Sequence, residues 1–221
     1  MRAAVIVFPG SNCDRDMAVA LRAAGADVTM VWHKDAEIGN VDLVAVPGGF
    51  SFGDYLRCGA IAAQSPVCGA LRRHVDRGGY ALGVCNGFQV LTETGLLPGA
   101  LMRNAGLKFV CRSVALTVAT ADSAFTRGYA AGESIALPVA HHDGAYTADD
   151  ATLAHLRDTD LIAFTYGSNF NGSRADIAGV LSENRRVLGM MPHPERAVDA
   201  ATGSTAGVAL FQGLVRQLAD A

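Results

Sequence analysis

The heptapeptide GVCNGFQ, Gly83 to Gln89, sets a cysteine between two glycines directly after the apolar run Tyr80-Ala81-Leu82. A thiol at the junction of a buried strand and a following helix has the arrangement of a nucleophile elbow, GxCxG standing where many hydrolases have GxSxG. The glycines are expected to let the chain turn sharply and lift the Cys85 sulfur above the strand's carboxyl end, with the helix N-terminus behind it favouring a thiolate. GxCxG alone is as often a buried cysteine among packing glycines, so the motif needs a base. Pro192-His193-Pro194-Glu195 supplies one: His193 to move protons, and Glu195 to orient the imidazole. The flanking prolines predict an extended segment with both side chains on one side.

Two further features point to the same pocket. Pro47-Gly48-Gly49 follows another apolar run, and the backbone N–H of Gly49 together with that of Asn86 is expected to form an oxyanion hole. Gln89 lies four residues after Cys85, on the same helix face, and is a candidate for binding an amide-bearing substrate. His141 and His142 have no third ligand at metal spacing and are read as polar loop histidines, so no metal site is expected.

The elements that must position these residues alternate in the first half of the chain. Arg2 to Phe8, Asp27 to Trp32, Asp42 to Val46 and Tyr80 to Val84 read as strands. Cys13 to Ala24, Gly59 to Arg77 with a restart at Pro66, and Asn86 to Thr94 read as helices between them. This alternation predicts an open, mainly parallel α/β sheet with helices on both faces, and such sheets bind ligands at the carboxyl ends of their strands. In the second half, Leu107 to Val118, Glu133 to Ala140, Asp160 to Tyr166, Ile177 to Ser182 and Val187 to Met191 are strand-like with little helix between them, which predicts antiparallel additions. A last helix spans Ser204 to Ala219.

Composition narrows the function classes. The chain has 221 residues, half of them apolar, which suits one domain (1–221) with a sizeable core. A formal net charge of -3 gives no basic footprint for nucleic acid. The five cysteines, Cys13, Cys58, Cys68, Cys85 and Cys111, are odd in number and scattered, as in a reducing cytoplasm. The apolar run Ala3 to Phe8 is too short for a signal or a membrane span, so a cytoplasmic protein is expected.

The stretches VIVFPGSNCDRD (Val5 to Asp16), VPGGFSFGDYLRCGAIA (Val46 to Ala62), GVCNGFQVL (Gly83 to Leu91), RNAGLKFVCR (Arg103 to Arg112) and VLGMMPHPERA (Val187 to Ala197) together resemble the class I, or triad, glutamine amidotransferases, whose fold is flavodoxin-like. Within that class the chain is similar to the glutaminase subunits of phosphoribosylformylglycinamidine synthase. The resemblance implies Cys85 as nucleophile, His193 as acid and base, Glu195 as its partner, Gly49 and Asn86 as oxyanion donors and Gln89 as a glutamine contact. It implies glutamine as substrate, no cofactor in this chain, and delivery of ammonia to a large synthetase that holds ATP and magnesium, often with a small third subunit. A stand-alone thiol hydrolase, a glutaminase of another pathway and a non-catalytic binding module are the competing readings. The chain departs from the family pattern at Ala140-His141-His142-Asp143-Gly144, where AHGEG is common, and at Asn169-Phe170-Asn171-Gly172-Ser173, where NPNGS is common. These departures bear on glutamine affinity and partner contact.

Overall fold

A computed structural model describes residues 1–219. Strand β1 (Arg2–Val7) buries Ala3 to Ile6 without interruption, as a strand covered on both faces must. Helix α1 (Asp14–Ala23) carries Asp14 and Asp16 in its first turn, where the helix dipole favours them, and buries Met17, Ala18, Ala20 and Leu21. It returns the chain to β2 (Asp27–Trp32), parallel to β1. On the other side of β1 lies β3 (Leu43–Val46), and helix α2 (Pro66–Asp76) leads from there to β4 (Tyr80–Val84), parallel to β3. The restart expected at Pro66 is found: proline occupies the first helical position, where its missing N–H is no loss. The two crossovers step in opposite directions along the sheet, so their right-handedness places α1 and α2 on opposite faces.

Helix α3 (Asn86–Glu93) packs on β4 and β3. The chain then runs through β5 (Ala100–Met102), β6 (Val110–Val118), β7 (Ser134–His141), β8 (Ala145–Thr147), α4 (Asp150–Asp158), β9 (Ile162–Tyr166), β10 (Ile177–Leu181), β11 (Val187–Met190) and α5 (Val208–Ala219). The main sheet has the order β2-β1-β3-β4-β11-β10-β9-β6-β7, and β5 pairs with β8 in a separate ribbon. The strands from β2 to β11 are parallel and those beyond are antiparallel, as the pattern of the second half predicts. Helix α4 corrects the expectation of little helix there. Asp149 caps it by accepting the Thr152 N–H at 2.7 Å, and Leu153 and Leu156 bury its inner face.

The last strand in sequence, β11, lies beside β4 with Met190 opposite Val84. Four neighbouring parallel strands, β1, β3, β4 and β11, therefore end along one edge of the sheet. The segments that leave them contain Cys13, Gly49, Cys85 and His193. Sequence neighbours are not what makes this site; strand order is.

Candidate active site

Cys85 occupies the turn between β4 and α3 with φ 51° and ψ −106°. This left-handed conformation is rare for a residue with a side chain and costs about 1–3 kcal/mol, which the surrounding structure must over-determine. The Cys85 N–H donates to Met190 O at 2.8 Å, tying the turn to β11, and Cys85 O accepts the Gln89 N–H at 3.2 Å. The flanking glycines serve a different purpose from the one expected. A Cβ on Gly87 would fall on Val46 O, and one on Gly83 would lie 2.7 Å from Gly87 O. Their role is the close seating of α3 on the strands, while Cys85 itself carries the bend.

His193 and Glu195 are buried, and Nδ1 of the imidazole lies 2.6 Å from Glu195 Oε1. The segment is not extended as the prolines suggested: Pro194–Arg196 is a 3-10 turn with Pro194 in its first position. The turn brings the two side chains together nonetheless, and the His193 N–H is anchored on Pro138 O of β7 at 2.8 Å. Burial works against the charged imidazole, but the Glu195 carboxylate, then the Cys85 and Cys13 sulfurs, hold its pKa well above the usual histidine value. Nε2 of His193 makes no hydrogen bond, and the Cys85 thiol donates instead to Ala140 O at 3.8 Å.

Gly49 lies in the turn that follows β3, and Asn86 directly follows Cys85 at the start of α3. Gly49 has φ +151°, and a Cβ there would lie 2.7 Å from Ser11 Cα and 2.8 Å from Gly10 O. Residues 9–13 hold this turn in place, with Phe50 N–H donating to Gly10 O at 2.9 Å and Phe52 N–H to Pro9 O at 2.7 Å. Asn86 opens α3, so its N–H has no partner within the helix. Its side chain accepts the Ser51 N–H at 3.2 Å and donates to Asp54 Oδ1 at 3.4 Å, tying the 51–54 turn to the start of α3.

Sequence reasoning did not single out Cys13. Gly48 has no side chain between them, and a Cβ there would be 2.7 Å from His193 Cε1 and 3.0 Å from Cys13 Sγ. Donor atoms of Cys13, His193 and Glu195 lie within 4.8 Å of one another, the one set of three among the described residues close enough to share an ion. The bond between His193 and Glu195 already occupies that pair. The one sequence signal for Cys13 was the motif in which it stands, GSNCDRD.

Gln89 is buried, with both polar ends of its amide engaged: Oε1 accepts from Asn86 Nδ2 at 2.9 Å and Nε2 donates to Asp143 O at 2.6 Å. It ties α3 to the 141–144 segment, and beyond that tie opens a cleft of about 650 Å³ lined by Asp54, Arg57, Cys58, Arg103, His142 and Asp143, among others. Burial raises the Asp54 pKa, and the Asp143 charge raises it further. Arg103 Nε stands 3.6 Å from Asp143 Oδ1. The cleft thus offers carboxylates and guanidinium groups together.

Residues 1–209 match the profile of the CobB/CobQ-like glutamine amidotransferase domain. The chain is 70% identical over 222 residues to a phosphoribosylformylglycinamidine synthase subunit PurQ from a Ruegeria species, with 100% of each chain covered. It is 68% identical over 222 residues to the protein of the same name from Ruegeria pomeroyi, again with 100% of each covered. A solved structure described as PurLQS from Thermotoga maritima contains a chain of the same shape, with a TM-score of 0.91, 42% identity and 98% of each chain covered. The chain belongs to the CobB/CobQ-like glutamine amidotransferase family and, within it, to the PurQ subunits of phosphoribosylformylglycinamidine synthase.

Proposed function

We propose that this chain is the glutaminase subunit of a phosphoribosylformylglycinamidine synthase, with Cys85, His193 and Glu195 as its catalytic triad. The observation that carries the residue roles is the convergence of a thiol held in a left-handed turn with a buried imidazole bonded to a carboxylate at 2.6 Å. Cys85 passes its thiol proton to His193, the resulting thiolate attacks the side-chain carboxamide carbon of glutamine, and the N–H groups of Gly49 and Asn86 hold the oxyanion. His193 gives a proton to the amide nitrogen, the C–N bond breaks, and ammonia leaves a γ-glutamyl thioester. Water then adds to the thioester, His193 takes its proton, and glutamate departs with the thiol restored.

The cleft beside Gln89 suits the other end of glutamine, a zwitterion. The Asp143 charge acts on Asp54, which recommends the two carboxylates for the ammonium group, and Arg103, beside Asp143, is the group proposed for the carboxylate. Around this cleft stand exposed apolar side chains: Tyr55 at 74% exposure, Leu56 at 94%, and Phe50, Met102, Leu107 and Phe109. Such a rim marks a protein contact, and the synthetase is its occupant in this reading. ATP and magnesium belong to that partner. Phe52, Asp54 and Leu56 all have φ above 50°, so the segment between Gly49 and Cys58 is the part that docking is expected to reset.

The experiment is glutamate release from glutamine by this chain alone and by the assembled synthase, with synthetase, ribonucleotide substrate and ATP omitted in turn. Slow hydrolysis alone and acceleration in the complex are expected. A full rate from the isolated chain, indifferent to every partner, would revive the stand-alone hydrolase.

A further inference from the structure

His141 closes β7, buried, one residue beyond the carbonyl that receives the Cys85 thiol. Its Nδ1 lies 3.0 Å from Asn104 Oδ1. That oxygen also accepts the Gly144 N–H at 3.1 Å, while Asn104 Nδ2 donates to Lys108 O and His141 O, each at 3.0 Å. Every polar atom of this buried amide is therefore committed, and its orientation is fixed by three backbone groups. An acceptor facing Nδ1 requires the proton there. Nε2 is then a bare lone pair, and it is buried with no hydrogen-bond partner.

Polar atoms left without partners in a packed interior need a reason. Nε2 of His141 shares this condition with Nε2 of His193 and the hydroxyl of Tyr166. Phe170 links two of the three: its ring stacks on His141 at 6.0 Å and meets Tyr166 edge-on at 5.0 Å. Phe170 thus covers one face of the His141 ring. Burial first, and the His193 charge second, lower the His141 pKa to about 4, so the ring is neutral at pH 7.

We infer that His141 is a further catalytic residue, whose Nε2 accepts a hydrogen bond from the atom that exchanges its proton with His193. This rests on the glutaminase reading above. The departing nitrogen receives a proton from His193 and the attacking water surrenders one to it, so the two occupy the same place in succession. The water keeps one hydrogen and the nitrogen two, and these require an acceptor in a site without bulk water. A neutral imidazole meets that need without protonating ammonia, which must leave uncharged to react as a nucleophile.

The test compares three variants in the assembled synthase. His141→Asn keeps a donor near the Nδ1 position for Asn104 but deletes the ε acceptor. His141→Gln places an amide oxygen near the ε position. His141→Leu fills the space with no polar atom and replaces the Asn variant if that one is unfolded. Asn or Leu should lower kcat for glutamate release about tenfold to a hundredfold, the worth of one transition-state hydrogen bond, with KM for glutamine within about twofold of wild type. Gln should recover at least about fivefold over either, and the pH profile should keep its shape. A kcat within twofold of wild type in Asn or Leu, or Gln no better than Leu, would overturn the assignment. Full turnover in Cys85→Ala is the separate result that removes the glutaminase reading itself.

Discussion

Replacing Glu195 by Gln removes one charge from a pair at 2.6 Å and changes almost nothing in shape. The glutamine oxygen can still accept the Nδ1–H of His193. Glu195 Oε2 has no hydrogen-bond donor, so no neighbour forces the new amide to turn its NH₂ toward the imidazole. Orientation of the ring is therefore retained, and the loss is electrostatic. A hydrogen bond to a charged group contributes about 1.5–3 kcal/mol, which at 1.36 kcal/mol per unit lowers the His193 pKa by about one to two units. His193 must be protonated to release ammonia, so activity falls as pH rises through its folded pKa. Because Glu195 holds that pKa well above 6.5, the alkaline limb of kcat/KM should move to lower pH in the variant. At the plateau, kcat/KM should drop by about tenfold to 150-fold, less than in His193→Ala. Stability follows the same linkage. A folded pKa above the unfolded one stabilises fully below about pH 6.5 and loses that contribution as pH rises through the folded value, so the difference in thermal midpoint between wild type and variant should shrink at high pH. Glutamate release by the assembled synthase from pH 6 to 10 is the assay. An unmoved alkaline limb, or a loss as large as that of His193→Ala, refutes the argument.

Cys85→Ala should abolish glutamine hydrolysis with the fold intact, while Cys58→Ala, Cys68→Ala and Cys111→Ala keep it; Cys13→Ala, which takes a sulfur from beside His193, should keep turnover but move the alkaline limb down by less than Glu195→Gln does. Gln89→Ala leaves Asn86 Nδ2 and Asp143 O without their shared partner and should cost about tenfold in kcat/KM, at about 1–2 kcal/mol; unaltered steady-state kinetics would contradict the role of this tie. Gly87→Ala sets a methyl on Val46 O and should destabilise by about 3 kcal/mol or more, visible as a lowered urea midpoint. Asp149→Ala removes the cap of α4 and should cost about 1 kcal/mol with glutamate release unchanged.

How much of this was legible in the sequence depends on the range of the forces involved. The strand and helix alternation up to Glu93 is written in local apolar patterning, and the structure follows it within a residue or two at most boundaries. Cys85, His193 and Glu195 announce themselves because motif chemistry is also local. Helix α4 has only a weak local signal, Asp149-Asp150 and the spacing of Leu153 and Leu156, set between longer strand-like runs. The bend at Cys85 was assigned to its glycines, since a sequence shows which residues tolerate strain and not which one bears it. Cys13 escaped notice for a harder reason: it reaches His193 only because β1 and β11 flank β3 and β4, and no periodicity encodes strand order.

The same reasoning explains why β7 matters to a site it does not appear to belong to. Its carbonyls at Pro138 and Ala140 anchor the His193 backbone and receive the resting Cys85 thiol, although β6, β9 and β10 separate it from β11 in the sheet. The sheet must curl for its far edge to return over the catalytic strands, and twist accumulated along nine strands supplies that curl. The antiparallel half thus contributes the Pro138 and Ala140 carbonyls to the site as well as extending the core. It brings His141 with it, held by Asn104 in one tautomer. A resting thiol on Ala140 O is also one that does not yet meet His193 Nε2. Any displacement of the 138–144 segment, from the apolar rim or from the Gln89 tie, therefore acts on the nucleophile and on the proton acceptors beside it together. That shared dependence would give the docking proposed at the cleft mouth a mechanical route to the chemistry.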